Sequence, residues 1–177
     1  MQIKNTTARY GLVAITLHWL LAIIVITLLC VGLYMTSLQR SPLQIKLFGL
    51  HKEFGIVVLS LVTLRILWRF VNITPKLTIP RWERVASLTI HWALYILMFA
   101  MPLTGWLMSS AAGFPVSFFG LFTMPNLIAP NDYWRDIFAI AHEFLSNILI
   151  ALIILHLLGA LKHHFYNKDD TIRRMLP

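Results

Sequence analysis

The sequence predicts an all-α integral membrane protein, a four-transmembrane-helix bundle in one domain of 177 residues. Hydrophobic residues make up 58% of the chain and charged residues only 12%, about half the charged share usual in soluble proteins. The apolar residues also gather into four runs, each long enough to cross a hydrocarbon core of about 30 Å. No Pro/Ser-rich linker divides these runs, so residues 1–177 are treated as a single membrane domain.

Each of the four runs has its own signals. The first, Gly11–Met35, contains no charged residue and is too long for the core of a signal peptide. The second, Leu50–Phe70, carries charged residues only near its ends, where long side chains can reach the interface. The third is Ala86–Met108 and the fourth is Ile137–Leu161. A loop rich in Gly, Pro and aromatic residues, Ser109–Arg135, joins the last two.

The basic residues indicate the orientation, because four spans put both chain termini on one side. Of the 15 Lys and Arg residues, Arg40, Lys46, Lys52 and Arg135 fall on the opposite side, and the others, Arg65 and Lys76 among them, fall on the side of the termini. Basic residues collect on the cytoplasmic side of membranes, so we expect both termini in the cytoplasm. They flank the apolar runs without interleaved aromatics, so the net charge of +8 reports topology and argues against nucleic-acid binding.

Five of the seven histidines are predicted at two depths in the membrane. His18, in the first span, and His156, in the fourth, lie about 10 Å from the cytoplasmic end at a rise of about 1.5 Å per residue. His91 opens the third span on the same side, whereas His51 and His142 belong to the outer leaflet. The other two follow the last span in the sequence LKHHF and are interpreted as interfacial cations.

His142 and His156 bound the stretch HEFLSNILIALIILH and share one face of the fourth helix. The fourteen steps between them turn a helix to within about 40° of four full turns and advance it about 21 Å. Ionisable groups in membranes are costly and mark functional sites. Imidazoles without an intramembrane Asp, Cys or Met partner favour bis-histidine haem iron over zinc or copper. The fourth span can therefore give one ligand to each of two haems.

The second ligand of the outer haem is then His51, the other histidine of the outer leaflet. The inner haem has two candidates, His18 and His91, because the stretches TLHW and TIHW look alike and lie at similar depth. Small residues one helical turn away, such as Ala14 before His18 and Gly55 after His51, would let a porphyrin approach the helices. The residues alone leave the choice of the inner ligand open.

Several motifs together resemble the bacterial cytochrome b-561 family, which is related to the cytochrome b subunits of formate dehydrogenases and nickel hydrogenases. They are HW in the first span, LHKEFG opening the second, the two histidines of the fourth, and the tail LKHHFYNKDDTIRRM. The resemblance covers nearly the whole chain. It implies a cytochrome b domain in the bacterial inner membrane with two haems b, one held by His18 and His156 on the cytoplasmic side and one by His51 and His142 on the periplasmic side. It also implies a quinone site at His91.

The function that the resemblance implies is a quinone-linked oxidoreductase. It would move electrons across the lipid bilayer between a one-electron donor and ubiquinone or menaquinone at the cytoplasmic side. Some members of the family oxidise superoxide and reduce ubiquinone, so the donor is periplasmic superoxide or an unidentified redox protein. Two other classes stay open. A haem-carrying anchor of a larger dehydrogenase or hydrogenase would offer the loop Gly113–Pro130 for docking, and a histidine-lined metal or proton transporter would hold no haem.

Overall fold

The computed structural model describes residues 2–75 and 79–176, and its architecture is a bundle of four long helices. In chain order these are α1 Leu12–Ser37, α2 Pro42–Phe70, α3 Arg81–Ala111 and α4 Asp132–Leu161. All four are long and apolar enough to cross a membrane. The predicted all-α class and the predicted number of spans are therefore confirmed. Lys76, one of the basic residues counted for the orientation, lies outside the described residues.

The helices extend beyond the apolar runs because polar caps define their true ends. α2 begins at Pro42 rather than at Leu50, since the Ser41 side chain accepts a hydrogen bond of 3.2 Å from the Gln44 amide. Proline is well suited to the first position of a helix, where its missing N–H group costs nothing. α4 has a similar cap at Asn131. These caps extend both helices at the end of the bundle opposite the termini.

Each helix packs chiefly on its neighbour in the sequence, α1 on α2, α2 on α3 and α3 on α4. The backbone of α4 approaches α1 and α2 much less closely. A cluster of buried side chains from all four helices fills the middle of the bundle: Leu21, Val25, Val58, Val62, Tyr95, Leu97 and Leu149. Leu149, the one buried residue of α4, lies midway between its two histidines. An apolar layer therefore separates the two ends of the bundle.

The loop between α3 and α4 contains a two-stranded antiparallel hairpin, β1 Ser117–Phe118 and β2 Phe122–Thr123. Its turn residues Phe119 and Gly120 both have positive φ, 51° and 73°. Turns of this kind match the right-handed twist of paired strands. The Phe119 amide donates a hydrogen bond of 3.2 Å to the carboxylate of Glu53. This bond fixes the hairpin to α2 at the end opposite the chain termini.

Both terminal segments close over the other end of the bundle. The Asn5 side chain accepts a hydrogen bond of 2.8 Å from the Gly11 amide and donates one of 2.7 Å to the Ile73 carbonyl, which follows α2. The Trp19 indole donates a hydrogen bond of 2.7 Å to the Met175 carbonyl near the carboxyl end. The two termini therefore lie on the same side of the bundle.

We predict that Gly11 tolerates no side chain, because a Cβ atom there would collide with the backbone of Ile3 and Lys4. Backbone cannot yield as the end of a flexible side chain does. We expect Gly11→Ala to displace the amino-terminal segment, so that limited proteolysis at Lys4 and Arg9 becomes faster. Gly49→Ala is the control, since a Cβ there meets nothing within 4 Å. Equal cleavage rates in the two variants would contradict this packing.

Candidate functional site

The outer site, at the end of the bundle that carries the hairpin, consists of His51 on α2 and His142 on α4. Their ring centroids are 6.3 Å apart and their ring planes are inclined by 72°. Both side chains are half-buried. The two outer-leaflet histidines predicted from the sequence are thus neighbours, and they face each other from helices whose backbones are not closely packed.

Hydrogen bonds fix the orientation of the His142 ring. Its Nδ1 atom lies 3.1 Å from the Met101 carbonyl oxygen and 3.1 Å from the Thr104 hydroxyl. A carbonyl oxygen can only accept, so Nδ1–H donates to it and Nε2 keeps its lone pair. A donor bond from one ring nitrogen to a carbonyl is the usual support of a metal-ligating histidine. Among the described residues, Nδ1 of His51 is buried without a hydrogen-bond partner.

Two glycines on the other helices make room for these rings. A Cβ atom at Gly32 of α1 would lie 3.3 Å from Cε1 of His51, and one at Gly105 of α3 would lie 3.2 Å from Cε1 of His142. A cavity of about 1080 Å³ adjoins the pair, close to the upper end of the range of about 300–1,000 Å³ typical of ligand pockets. The facing imidazoles and the adjoining cavity therefore fit a haem.

Charged side chains of both signs line the hairpin end of this cavity: Lys52, Arg135, Asp136 and Glu143. Arg135 forms ion pairs with Asp132 and Asp136 on its own helix. The Lys52 ammonium group donates a hydrogen bond of 3.3 Å to the Ser109 hydroxyl. Two positive and two negative groups balance, so the entrance to the outer site has no dominant charge.

The inner site lies at the end of the bundle that carries the termini, where His18, His91 and His156 converge. The ring centroids of His18 and His156 are 6.1 Å apart, and those of His91 and His156 are 5.3 Å apart. One of these two histidines, His18 or His91, would hold a haem together with His156, and the haem would supply a one-electron iron couple. Both candidates thus adjoin His156, and the spacing of the His18 pair resembles that of the outer pair.

α2 contributes Arg65 to the inner site. Its Nε donates a hydrogen bond of 3.0 Å to the Tyr95 hydroxyl, and its Nη1 donates one of 3.0 Å to the Ala14 carbonyl. Ala14 precedes His18 by one helical turn, and Tyr95 follows His91 by one turn. The sequence indicates that a side chain at this position can reach the interface, and in the structure it links α1 to α3.

His163, interpreted from the sequence as an interfacial cation, lies beside two carboxylates in the structure. α4 continues into a π-helix, Lys162–Asn167. There Nδ1 of His163 lies 2.6 Å from the Asp169 carboxylate and Nε2 lies 3.4 Å from the Glu83 carboxylate. Burial raises the pKa of Asp169, but hydrogen bonds from Thr171 and His163 outweigh it and leave the pKa below its ordinary value. The cluster ties the carboxyl-terminal tail to the start of α3.

Across residues 2–75 and 79–176, no group of three or more His, Cys, Asp and Glu side chains is arranged to hold a metal ion. A pair of imidazoles suits a metal that brings its own equatorial ligands, as haem iron does. A four-span bundle with histidines facing each other near each end is typical of membrane haem proteins. Residues 9–177 match the prokaryotic cytochrome b561 family. The chain belongs to this family, which binds haem b, and the predicted family is confirmed.

Individual relatives cover almost the whole chain. Cytochrome b561 homolog 2 of Escherichia coli (strain K12) is 38% identical over 180 aligned residues, which are 99% of this chain and 95% of that protein. Cytochrome b561 homolog 1 of the same organism is 30% identical, over 96% of this chain and 97% of its own. A Yersinia pestis protein named probable superoxide oxidase CybB is also 30% identical, over 96% of both chains.

The packing of His142 against Gly105 leads to a stability prediction. In Gly105→Val, the added carbon atoms press on the His142 ring, and overpacking of this kind costs about 1–3 kcal/mol. We expect the thermal unfolding temperature of the purified protein to fall. Gly159→Val on α4 carries the same β-branched penalty, but a Cβ there meets nothing within 4 Å. An equal fall in both variants would contradict the contact with His142.

Proposed function

We propose that this protein is a di-haem cytochrome b that carries electrons across the bacterial inner membrane, from a one-electron donor at the outer site to a quinone at the inner site. The observation that carries the proposal is the repetition of one arrangement at both ends of the bundle. His51 with His142 and His18 with His156 have ring separations of 6.3 and 6.1 Å and ring inclinations of 72° and 71°. Equal spacing at two sites favours the same type of ligand at each.

In this proposal His51 and His142 would hold the haem at the outer site, and His18 and His156 would hold the haem at the inner site. Haem b, when bound, supplies a one-electron iron couple whose potential the protein sets through ligands, burial and hydrogen bonds. The Met101 carbonyl keeps the proton on Nδ1 of His142 and leaves Nε2 free to bind. The apolar core between the two sites keeps water out of the space that separates them.

If His18 is the inner ligand, His91 holds no haem, and we assign it the role of binding the quinone. Its ring lies 5.3 Å from that of His156, so a quinone hydrogen-bonded to it would adjoin the inner haem. An imidazole can donate to a quinone carbonyl and pass on a proton, and a quinol needs two protons. The proposal covers both ubiquinone and menaquinone, whose ring carbonyls accept the same hydrogen bond.

For the donor, the relative named probable superoxide oxidase supports superoxide as the first candidate. Superoxide is a small anion, and Lys52 and Arg135 line the outer cavity, together with Asp136 and Glu143. For the orientation, the excess of basic residues on the side of the termini supports a cytoplasmic location for both termini. The outer site then faces the periplasm.

The ligand assignment predicts the haem content of histidine variants. We expect two haems b per chain in the purified full-length protein, one after His18→Ala, one after His51→Ala, and two after His91→Ala. Haem extraction with a reduced-minus-oxidised spectrum measures each value. His164→Ala is the control, because this ring packs against neighbouring Phe165, and it should keep both haems.

A colourless wild-type protein would overturn the cytochrome proposal. Loss of the inner haem in His91→Ala but not in His18→Ala would instead exchange the roles of these two residues. A soluble protein that co-purifies in fixed ratio would favour the anchor-subunit alternative.

The quinone assignment predicts a separate kinetic defect. We expect His91→Gln to keep both haems while the reduced protein is reoxidised by a water-soluble quinone about a hundredfold more slowly, because a positioned acid contributes at least that factor. Stopped-flow absorbance at the haem bands measures the rate. Reoxidation by ferricyanide, which takes no proton, should stay unchanged. If the quinone rate of the variant equals that of the wild type, the quinone site lies elsewhere.

A further inference from the structure

Arg65 holds a positive charge inside a membrane-spanning helix, where charged groups are costly and rare. Guanidinium groups stay protonated in proteins, so the charge cannot be removed by a proton shift. The two hydrogen bonds of Arg65 end on neutral oxygens, the hydroxyl of Tyr95 and the carbonyl of Ala14. These hydrogen bonds therefore hold the side chain in place without neutralising its charge.

No carboxylate within the described ranges 2–75 and 79–176 forms an ion pair with Arg65 or with Arg69, one turn further along α2. Arg69 lies over the rings of Trp92 and Tyr95, with its guanidinium carbon 5.6 and 5.8 Å from their centroids. Burial raises the pKa of the neighbouring Tyr10, although Arg69 and Arg65 act in the opposite sense. Tyr10 therefore stays a neutral phenol at physiological pH and supplies no counter-charge.

The two ends of the bundle thus differ in charge. At the outer site Lys52 and Arg135 are balanced by Asp136 and Glu143. At the inner site Arg65 stands one helical turn from the histidine-bearing turns of α1 and α3, and no carboxylate of the described residues pairs with it. A fixed charge acts more strongly in a low-dielectric interior than in water. It stabilises any added negative charge nearby.

We propose that Arg65 is the positioning residue that makes the inner haem the electron-accepting end of the pair, by raising its midpoint potential above that of the outer haem. This inference rests on the two haem sites of the proposed function. With a haem bound at each site, one electron would pass from the outer site, which would be oxidised, to the inner site, which would be reduced. No bond forms or breaks and no proton moves in this transfer. The hydrogen bonds of Arg65 hold its charge beside the turns that carry His18 and His91.

A spectroelectrochemical titration of the purified full-length protein tests this inference. His18→Ala, which is expected to lose the inner haem, identifies which of the two reduction waves belongs to the inner site. In Arg65→Gln we expect the ratio of reduced to oxidised inner haem at a fixed potential to fall at least tenfold, which corresponds to a downward shift of about 59 mV for a one-electron couple. The wave of the outer haem should not move.

Three further variants separate the effect of the Arg65 charge from the effect of its hydrogen bonds. Arg65→Lys keeps the charge and should shift the inner wave much less than Arg65→Gln does. Tyr95→Phe removes one hydrogen bond but leaves the charge, and should also retain a potential near that of the wild type. Arg40→Gln removes an exposed positive charge at the opposite end and should leave the inner wave in place.

An inner wave that stays in place in Arg65→Gln, with both haems retained, would overturn the inference while leaving the cytochrome proposal intact. So would an Arg65→Lys variant that shifts as far as Arg65→Gln. If Arg65→Gln fails to retain the inner haem, the inner-haem potentials of Arg65→Lys and Tyr95→Phe are compared with that of the wild type to test the role of charge. A displacement of about 59 mV or more in either variant then counts against the role of charge. A wild-type protein without haem would overturn the proposed function itself.

Discussion

An imidazole inside a bilayer has no water to bind, so its partners must come from other helices. This constraint organises the bundle. One ring nitrogen of His142 donates a hydrogen bond to the Met101 carbonyl of α3, and the other side of the ring faces His51 on α2. His156 faces both His18 on α1 and His91 on α3. One helix, α4, thereby connects to the other three through two imidazoles about 21 Å apart along its axis.

The same constraint explains why α4 packs tightly on α3 alone. In the proposed function, haems held between α4 and the other helices would need α4 to stand apart from α1 and α2, while the paired histidine rings still face each other. α4 meets this need by standing close to α3 and away from α1 and α2. The glycines Gly32 and Gly105 then bring the other two backbones against the outer rings. Leu149 closes the apolar layer between the sites.

The sequence predicted those features that depend on local periodicity and depth. Hydropathy marks the four spans because lipid acts on each helix separately, and the fourteen-residue interval puts His142 and His156 on one face of a single helix. The helix ends were missed because their caps, such as Ser41, lie outside the hydrophobic stretches. The inner ligand stayed open because His18 and His91 are predicted at similar depth, and in the structure both adjoin His156.

Other features depend on contacts between distant parts of the chain. An arginine near the end of a span has the same sequence signature whether it extends to the interface or turns inward, so the bonds of Arg65 to Ala14 and Tyr95 could not be anticipated. The Glu83 carboxylate meets Lys162 and His163 across some eighty residues. The loop was predicted without its hairpin, because two-residue strands leave almost no alternation in the sequence.

The difference in charge between the two ends of the bundle connects the orientation of the chain in the membrane to its proposed function. An electron moving from periplasm to cytoplasm travels towards the negative side of an energised membrane, which costs about 2.3 kcal/mol per 100 mV for a full crossing. A fixed positive charge at the inner end offsets part of that cost. Arg65 and Arg69 belong to the basic residues that indicate a cytoplasmic location for the termini. In this proposal, the residues that orient the chain in the bilayer also favour electron flow towards the quinone.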